Sequence, residues 1–279
     1  SSSSSVATPM ALKPTSILGI GPILEADAPA YSELMGKSIG IACAMHCLML
    51  AGSFLVRVLT KSDKVYGKRT DWWGHQILCM LHHIVVGAVA GYAIIFDAVC
   101  WHVFQGACFS PTYQGGTYGM LYVPTPYVYR LMPLTIGYMI FDLAELYRFN
   151  ELNILIVIHH TLPAIVFPVL VHLNIGHMWI LYFLSTEITG PFNVIRKILT
   201  ELDLKKSYAY VANGAVFTGL FIAWRIAPIP ALLYEIVVTN PYSAERIPDI
   251  LTPVGVLLTR MTYTLLLLPL LFNMYWGFL

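Results

Sequence analysis

The sequence predicts an all-α membrane protein with about seven transmembrane helices, and three observations carry that expectation. Only 11 % of the 279 residues are charged, against roughly 25 % in an average soluble protein. Apolar residues make up 57 %, and mean hydropathy is +0.69. These residues are gathered in long runs, which in a soluble domain would leave large apolar patches exposed. The formal net charge of +1 gives no reason to expect nucleic acid as a partner. No long polar tract marks a second soluble domain.

Residues 1–34 read as a Ser- and Pro-rich tail and residues 35–279 as one transmembrane domain. The start, SSSSSVATPM, suits either the end of an organelle transit peptide or a disordered tail. The short apolar run Ile17 to Ile23 reads as a surface or re-entrant piece. Crossing the hydrocarbon takes about 20 mostly apolar residues. Such runs fall at 39–59, 76–96, 131–147, 153–172, 176–191, 208–228 and 251–276, the third and fifth being short.

Lys and Arg in the connecting loops set the orientation. Lys61, Lys64, Lys68, Arg69, Arg148, Arg196, Lys197, Lys205 and Lys206 fall on one side. Lys13, Lys37, Arg130 and Arg246 fall on the other, four against nine. The N-terminus is therefore expected outside (lumenal) and the C-terminus in the cytosol, in an endomembrane of endoplasmic-reticulum type or an organelle membrane. The longest loop, 97–130, lies on the outer side and holds Cys100 and Cys108, which form a disulfide or stay as two thiols. Cys43, Cys47 and Cys79 read as small buried residues within spans.

Polar groups inside spans are costly and point to function or pairing. The second run carries His82 and His83, the third Asp142 and Glu145, the fourth His159 and His160, and the fifth Glu187. Arg225 lies late in the sixth and Arg260 within the seventh. Each has a bland reading as a structural ion pair or hydrogen bond. Two His pairs on different helices, with Asp142 between them, suggest a shared polar centre in which a histidine serves as base or nucleophile. Adjacent helical residues point about 100° apart, so only one histidine of each pair is expected to face a small site. No HxxxH or HxxHH box is present, no CxxC and no phosphate-binding Gly-rich loop, and no metal centre is read. The last run has no lysine, which rules out a retinal Schiff base.

Five short motifs in order resemble the TLC domain family, whose members include translocon-associated proteins and ceramide synthases. They are Asp71-Trp72-Trp73 through His82-His83, Gly137 through Asp142, and Val157-Ile158-His159-His160, followed by Ser185 through Arg196 with Glu187 and Asn193, and Ala223 through Pro228 with Arg225. The resemblance spans about 35–280. It implies a TLC-type bundle around an internal cavity for an acyl chain or lipid, with the paired histidines pointing inward. His159 and His160 then take the position of the catalytic pair and Asp142 supports them. His82, His83, Glu145, Glu187, Asn193, Arg225 and Arg260 line the cavity.

The ceramide synthases carry a histidine–aspartate–x–x–aspartate element after the pair, and this chain reads Tyr182 through Glu187 there instead. Three readings follow. The chain is a lipid-handling membrane protein, an acyl-CoA-dependent N-acyltransferase, or a structural subunit of a larger membrane complex. No cofactor is required, with acyl-CoA or a bound lipid as the expected small molecule. Membrane lipids, partner subunits or further copies of the chain are the expected partners.

Overall fold

The computed structural model describes residues 30–109, 120, 123–172, 174, 176–238, 264, 267–271 and 274. The expected tail up to residue 29, most of the seventh run, and Arg260 lie outside the described residues. Helix α1 (Tyr31–Thr60) leads through a short antiparallel hairpin, β1 (Lys64–Val65) and β2 (Lys68–Arg69), into α2 (Thr70–Phe96). Tyr66 and Gly67 between the strands both have positive φ, 49° and 77°, as a two-residue hairpin turn of right-handed twist requires. Then come α3 (Ala98–Phe109), α4 (Pro126–Arg148), α5 (Ile154–His172) and α6 (His177–Ser185). A 3₁₀ turn (Thr186–Thr189) joins α6 to α7 (Gly190–Glu201). Helix α8 (Tyr208–Phe221) passes through a π turn (Ile222–Ile226) before α9 (Ile229–Val238).

Among the described residues, four stretches are long and apolar enough to cross a membrane: Tyr31–Thr60, Thr70–Phe96, Ile154–His172 and Tyr208–Tyr234. Their outer faces are apolar. Leu48, Phe54 and Leu59 on α1 and Ile77, Leu81 and Phe96 on α2 are exposed, which suits hydrocarbon and not water. Helix α4 is different. Its 23 residues are largely buried, with Pro133 inside and Asp142 and Glu145 on it, so it stands in the middle of the bundle. Helix α1 packs mainly along α4 and then α2.

The departures from expectation have local causes. A helix, α3, occupies the start of the expected 97–130 loop. Asp97 starts it, its Oδ1 accepting the backbone N–H of Val99 at 3.0 Å and of Cys100 at 3.1 Å. Cys100 and Cys108 are thiols, not joined by a disulfide. Eight residues apart on one helix, they are separated by about 12 Å of rise, beyond the roughly 7 Å that a disulfide spans. Cys43 and Cys47 are exposed rather than buried. Helix α1 buries a single stripe (Leu34, Ser38, Ala42, Met45, Met49, Ser53), and these two cysteines lie off it. The expected 176–191 span is broken near its end, at Thr186–Thr189. Ser185, Thr186 and Thr189 turn their hydroxyls back to the carbonyls of Tyr182, Phe183 and Thr186, which favours the tighter turn before Pro191 restarts the helix.

One end of the bundle is fastened by ion pairs. Asp71, in the first turn of α2, accepts Arg69 at 2.7 Å and Arg148 at 2.5 Å. Arg148 also holds Glu145 at 2.5 Å, and His46 meets the same carboxyl at 2.5 Å. Glu151 accepts Trp72 Nε1 at 3.0 Å and Lys197 at 2.6 Å, while Lys68 and Lys197 lie over the Trp72 ring. Partial burial raises the Glu151 carboxyl, and Lys197, Trp72 and Lys68 more than offset this, so it titrates below its ordinary value.

Two predictions follow from this packing. A Cβ at Gly137 meets the Ser38 carbonyl oxygen at 2.7 Å and Ile41 Cβ at 2.8 Å, whereas one at Gly91 meets nothing within 4 Å. Thermal denaturation in detergent is expected to show Gly137→Ala destabilised by about 1–3 kcal/mol and Gly91→Ala unaffected. Because the folded Glu151 carboxyl binds its proton less readily than the unfolded one, its contribution is complete above the ordinary value near 4.5 and is lost as pH falls through the lower folded value. Wild type is expected to lose melting temperature on acidification below that point more steeply than Glu151→Gln; parallel curves would remove the clip from the account.

Candidate functional site

A cavity of about 450 Å³ opens between α2, α4, α5, α7 and α8. Helical spacing explains its walls. From α2 come His75, Cys79 and His83, at i, i+4 and i+8; from α4 come Tyr138, Asp142 and Leu146, with the same spacing. Helix α8 and its π turn repeat the spacing with Phe217, Phe221 and Arg225. Helix α5 supplies Ile156, His159 and His160, and α7 brings Asn193 and Lys197 to the rim.

Two imidazole–carboxylate couples face this space. His83 Nδ1 lies 2.5 Å from Glu187 Oε2, and its Nε2 lies 3.4 Å from the Tyr138 hydroxyl. His75 Nε2 lies 2.7 Å from Asp142 Oδ1, and His160 Nδ1 lies 3.6 Å from the other Asp142 oxygen. That last separation is past hydrogen-bond reach, and the buried His160 Nδ1 has no hydrogen-bond partner. Cys79 Sγ sits 3.4 Å from both His75 Nε2 and Asp142 Oδ1.

The fold holds these groups from behind. The close approach of α2 to the 3₁₀ turn depends on Gly87, where a Cβ would fall 2.3 Å from Ile188 N and 2.8 Å from the Glu187 carbonyl carbon. The π turn widens the α8 helix by one residue, with Ala227 N–H bonding the Ile222 carbonyl at 2.8 Å. This swings Arg225 onto the 3₁₀ turn, where it donates to Thr189 Oγ1 at 3.0 Å and to the Thr186 carbonyl at 2.9 Å. Helix α5 has Pro163 one turn after its histidine pair, which removes a backbone donor there. A smaller apolar recess, lined by Leu162, Phe167, Phe183 and Leu184 among others, shares His159, Glu187 and Arg225 with the main cavity.

Of the residues singled out from the sequence, His83, Asp142, His159, His160, Glu187, Asn193 and Arg225 line one cavity. Both members of the α5 pair line it, where helix geometry alone gave one and the family resemblance implied both. His82 does not; it is buried behind Tyr138, stacked on that ring at 3.8 Å. Glu145 does not either, being taken by Arg148 and His46 at the fastened end, one turn past Asp142 and off its stripe. The reading missed His75, Gln76, Cys79 and Tyr138. The available signal was the His75–Cys79–His83 spacing of four, which places three ligand-type side chains on one helix face.

Chemically, each carboxylate fixes the tautomer of the imidazole it holds, leaving the far nitrogen as a base or acceptor. Among the described residues, His75, Cys79 and Asp142 form one group with metal-ligand spacing, and His82, His83 and Glu187 another. Helix α2 is expected to tolerate Gly91→Ala, but Gly87→Ala to force the 3₁₀ turn outward and part His83 from Glu187. The imidazole resonances of His83 in NMR of selectively labelled protein report this; an unchanged His83 signal in Gly87→Ala would show that the turn yields without disturbing the couple.

Comparison with known families gives a match to the TLC domain over residues 72–279. No match was found among curated proteins or among solved structures.

Proposed function

The chain belongs to the TLC-domain family and is an integral membrane protein, and on that premise we propose that it handles lipid, holding an acyl chain or polar lipid within the bundle. The observation that carries the reading is the meeting of both imidazole–carboxylate couples and Arg225 in one hollow, beside an apolar recess of about 40 Å³ that shares three of its lining residues. At about 450 Å³ the hollow falls in the range of small-ligand sites, roughly 300–1,000 Å³. A polar head group finds donors and acceptors at His83, His159 and Arg225; an acyl chain finds Leu162, Phe167 and Leu184 beyond them. In this reading α4 and the α6–α7 pair complete the four apolar stretches toward seven crossings, with the C-terminal segment last. The fastened, lysine-rich end faces the cytosol and the N-terminus the lumen of an endomembrane or organelle.

A specific observation favours a second reading, N-acyl transfer from acyl-CoA. His83 is held by Glu187 at one nitrogen and offers the other to the cavity beside Tyr138, the arrangement of a general base. An amine nitrogen attacks the thioester carbonyl, His83 Nε2 takes the amine proton, and the departing thiolate recovers that proton as free thiol. His159 and His160 then position the acyl group, with Asp142 behind His160.

Mass spectrometry of lipids extracted after mild-detergent purification separates the readings. One lipid class is expected at near-stoichiometric amount, reduced in Arg225→Met and Glu187→Gln; recovery of detergent alone would end the lipid-binding reading. With acyl-CoA and long-chain amines, transfer predicts turnover that falls by about 10²–10⁴-fold in His83→Ala. Turnover retained in His83→Ala and His160→Ala alike would end the transfer reading and leave lipid binding standing.

A further inference from the structure

The wall of the cavity formed by α2 and α4 has a composition that lipid binding does not call for. His75, Cys79 and Asp142 are all buried, and their ligand atoms lie 2.7–3.4 Å from one another. Two come from one face of α2, a turn apart, and the third from α4. A fourth ligand-type atom, His160 Nδ1 on α5, is buried, faces the same carboxylate at 3.6 Å and has no hydrogen-bond partner. A buried imidazole nitrogen left without a partner is costly, which asks for something between it and the carboxylate.

We infer that His75, Cys79 and Asp142 form a zinc site tying α2 to α4, with His160 of α5 beside it as the donor for the fourth position. Tetrahedral zinc, with bonds of about 2.0–2.1 Å to nitrogen or oxygen and 2.3 Å to sulfur, separates its ligands by about 3.3–3.6 Å. The Cys79–His75 and Cys79–Asp142 separations of 3.4 Å each already match, whereas His160 Nδ1 stands 3.6 Å from the other Asp142 oxygen, outside the set whose ligand atoms are mutually within 4.8 Å, and moves inward on binding. The His75–Asp142 contact opens by about 0.6 Å when the ion replaces the shared proton. A nitrogen, sulfur and oxygen set of this kind suits zinc better than magnesium or calcium.

The charges also close. Asp142 and thiolate Cys79 neutralise a divalent ion, so the buried site carries no net charge. Loading releases one proton, from the Cys79 thiol. The His75 proton moves from Nε2 to Nδ1, where Gln76 waits with its amide nitrogen at 3.0 Å. A half-turn of that amide presents its oxygen instead, giving His75 the outer acceptor that zinc-bound histidines ordinarily have. The second ligand-type group, His82, His83 and Glu187, has comparable spacing and a buried His82 Nδ1 without a hydrogen-bond partner, but it offers no thiolate to balance the ion's charge.

The test is elemental analysis of the full chain, purified in mild detergent without chelator and without a metal-affinity tag. Zinc is expected near one ion per chain, lost in His75→Ala and Cys79→Ala and kept in His83→Ala. Cobalt added to chelator-stripped wild type is expected to give a thiolate-to-cobalt charge-transfer band, which covers the case in which the Cys79 variant fails to fold. Absence of both zinc and the cobalt band, or zinc that follows His83 rather than Cys79, would overturn the assignment. Neither result depends on whether lipid occupies the cavity.

Discussion

Two carboxylates, Asp142 and Glu187, stand inside a bundle whose outer surface is apolar, and the interior is organised by the need to match them. An unmatched anion in such surroundings costs several kcal/mol. Each carboxylate therefore recruits an imidazole from α2, His75 for Asp142 and His83 for Glu187, two turns apart on the same face. That demand fixes the rotation of α2 about its axis. It brings α4 against one part of the α2 stripe and the α6–α7 junction against the other. The cavity is the space left between elements held at those two points.

Matching a charge needs close backbones as well as suitable side chains. Glycines sit where elements come nearest, Gly137 against α1 and Gly87 against the 3₁₀ turn. The turn is itself a product of sequence, since three hydroxyls in Ser185 through Thr189 bend back onto the chain. An uninterrupted helix there would carry Glu187 past His83. The π turn at Arg225 does comparable work on the opposite wall, adding one residue so that the guanidinium reaches the turn's carbonyl and hydroxyl. Among the described residues the 3₁₀ turn is packed against α2, and the π turn buries Arg225 while Ile222 stays on the apolar outer face.

Most of the membrane-spanning character was legible in the sequence, because length and apolarity are one-dimensional properties. Helices α1, α2, α5 and α8 were found that way. The elements that carry the site were harder, because a helix in the middle of a bundle is free to be polar. Helix α4 is the least apolar of the long ones, and α6–α7 is broken by hydroxyl groups whose effect appears only once their carbonyl partners are known. Among side chains, the adjacent pairs His82-His83 and His159-His160 stand out in a string. The helix reads every fourth residue, and so His75 and Cys79 were passed over while His82, turned to the back of Tyr138, was included. Glu145 misled for the same reason. Three residues after Asp142, it sits on a neighbouring face and serves the fastened end.

The same spacing sets the depth of the site. Eight residues of helix rise about 12 Å, and three walls run that distance, from His75 to His83, Tyr138 to Leu146 and Phe217 to Arg225. That depth takes a polar head group and a few methylenes, but not an extended acyl chain. On the lipid-handling proposal a longer chain would have to widen the recess between α5 and α6, which at about 40 Å³ is far smaller than a ligand pocket. His159, Glu187 and Arg225 are shared by both spaces and stand at the throat, where head and tail of a bound lipid would meet. On that proposal Leu162, Phe167, Phe183 and Leu184 would limit chain length, and any chemistry would fall on the side of the throat where His83 and the Asp142 cluster lie.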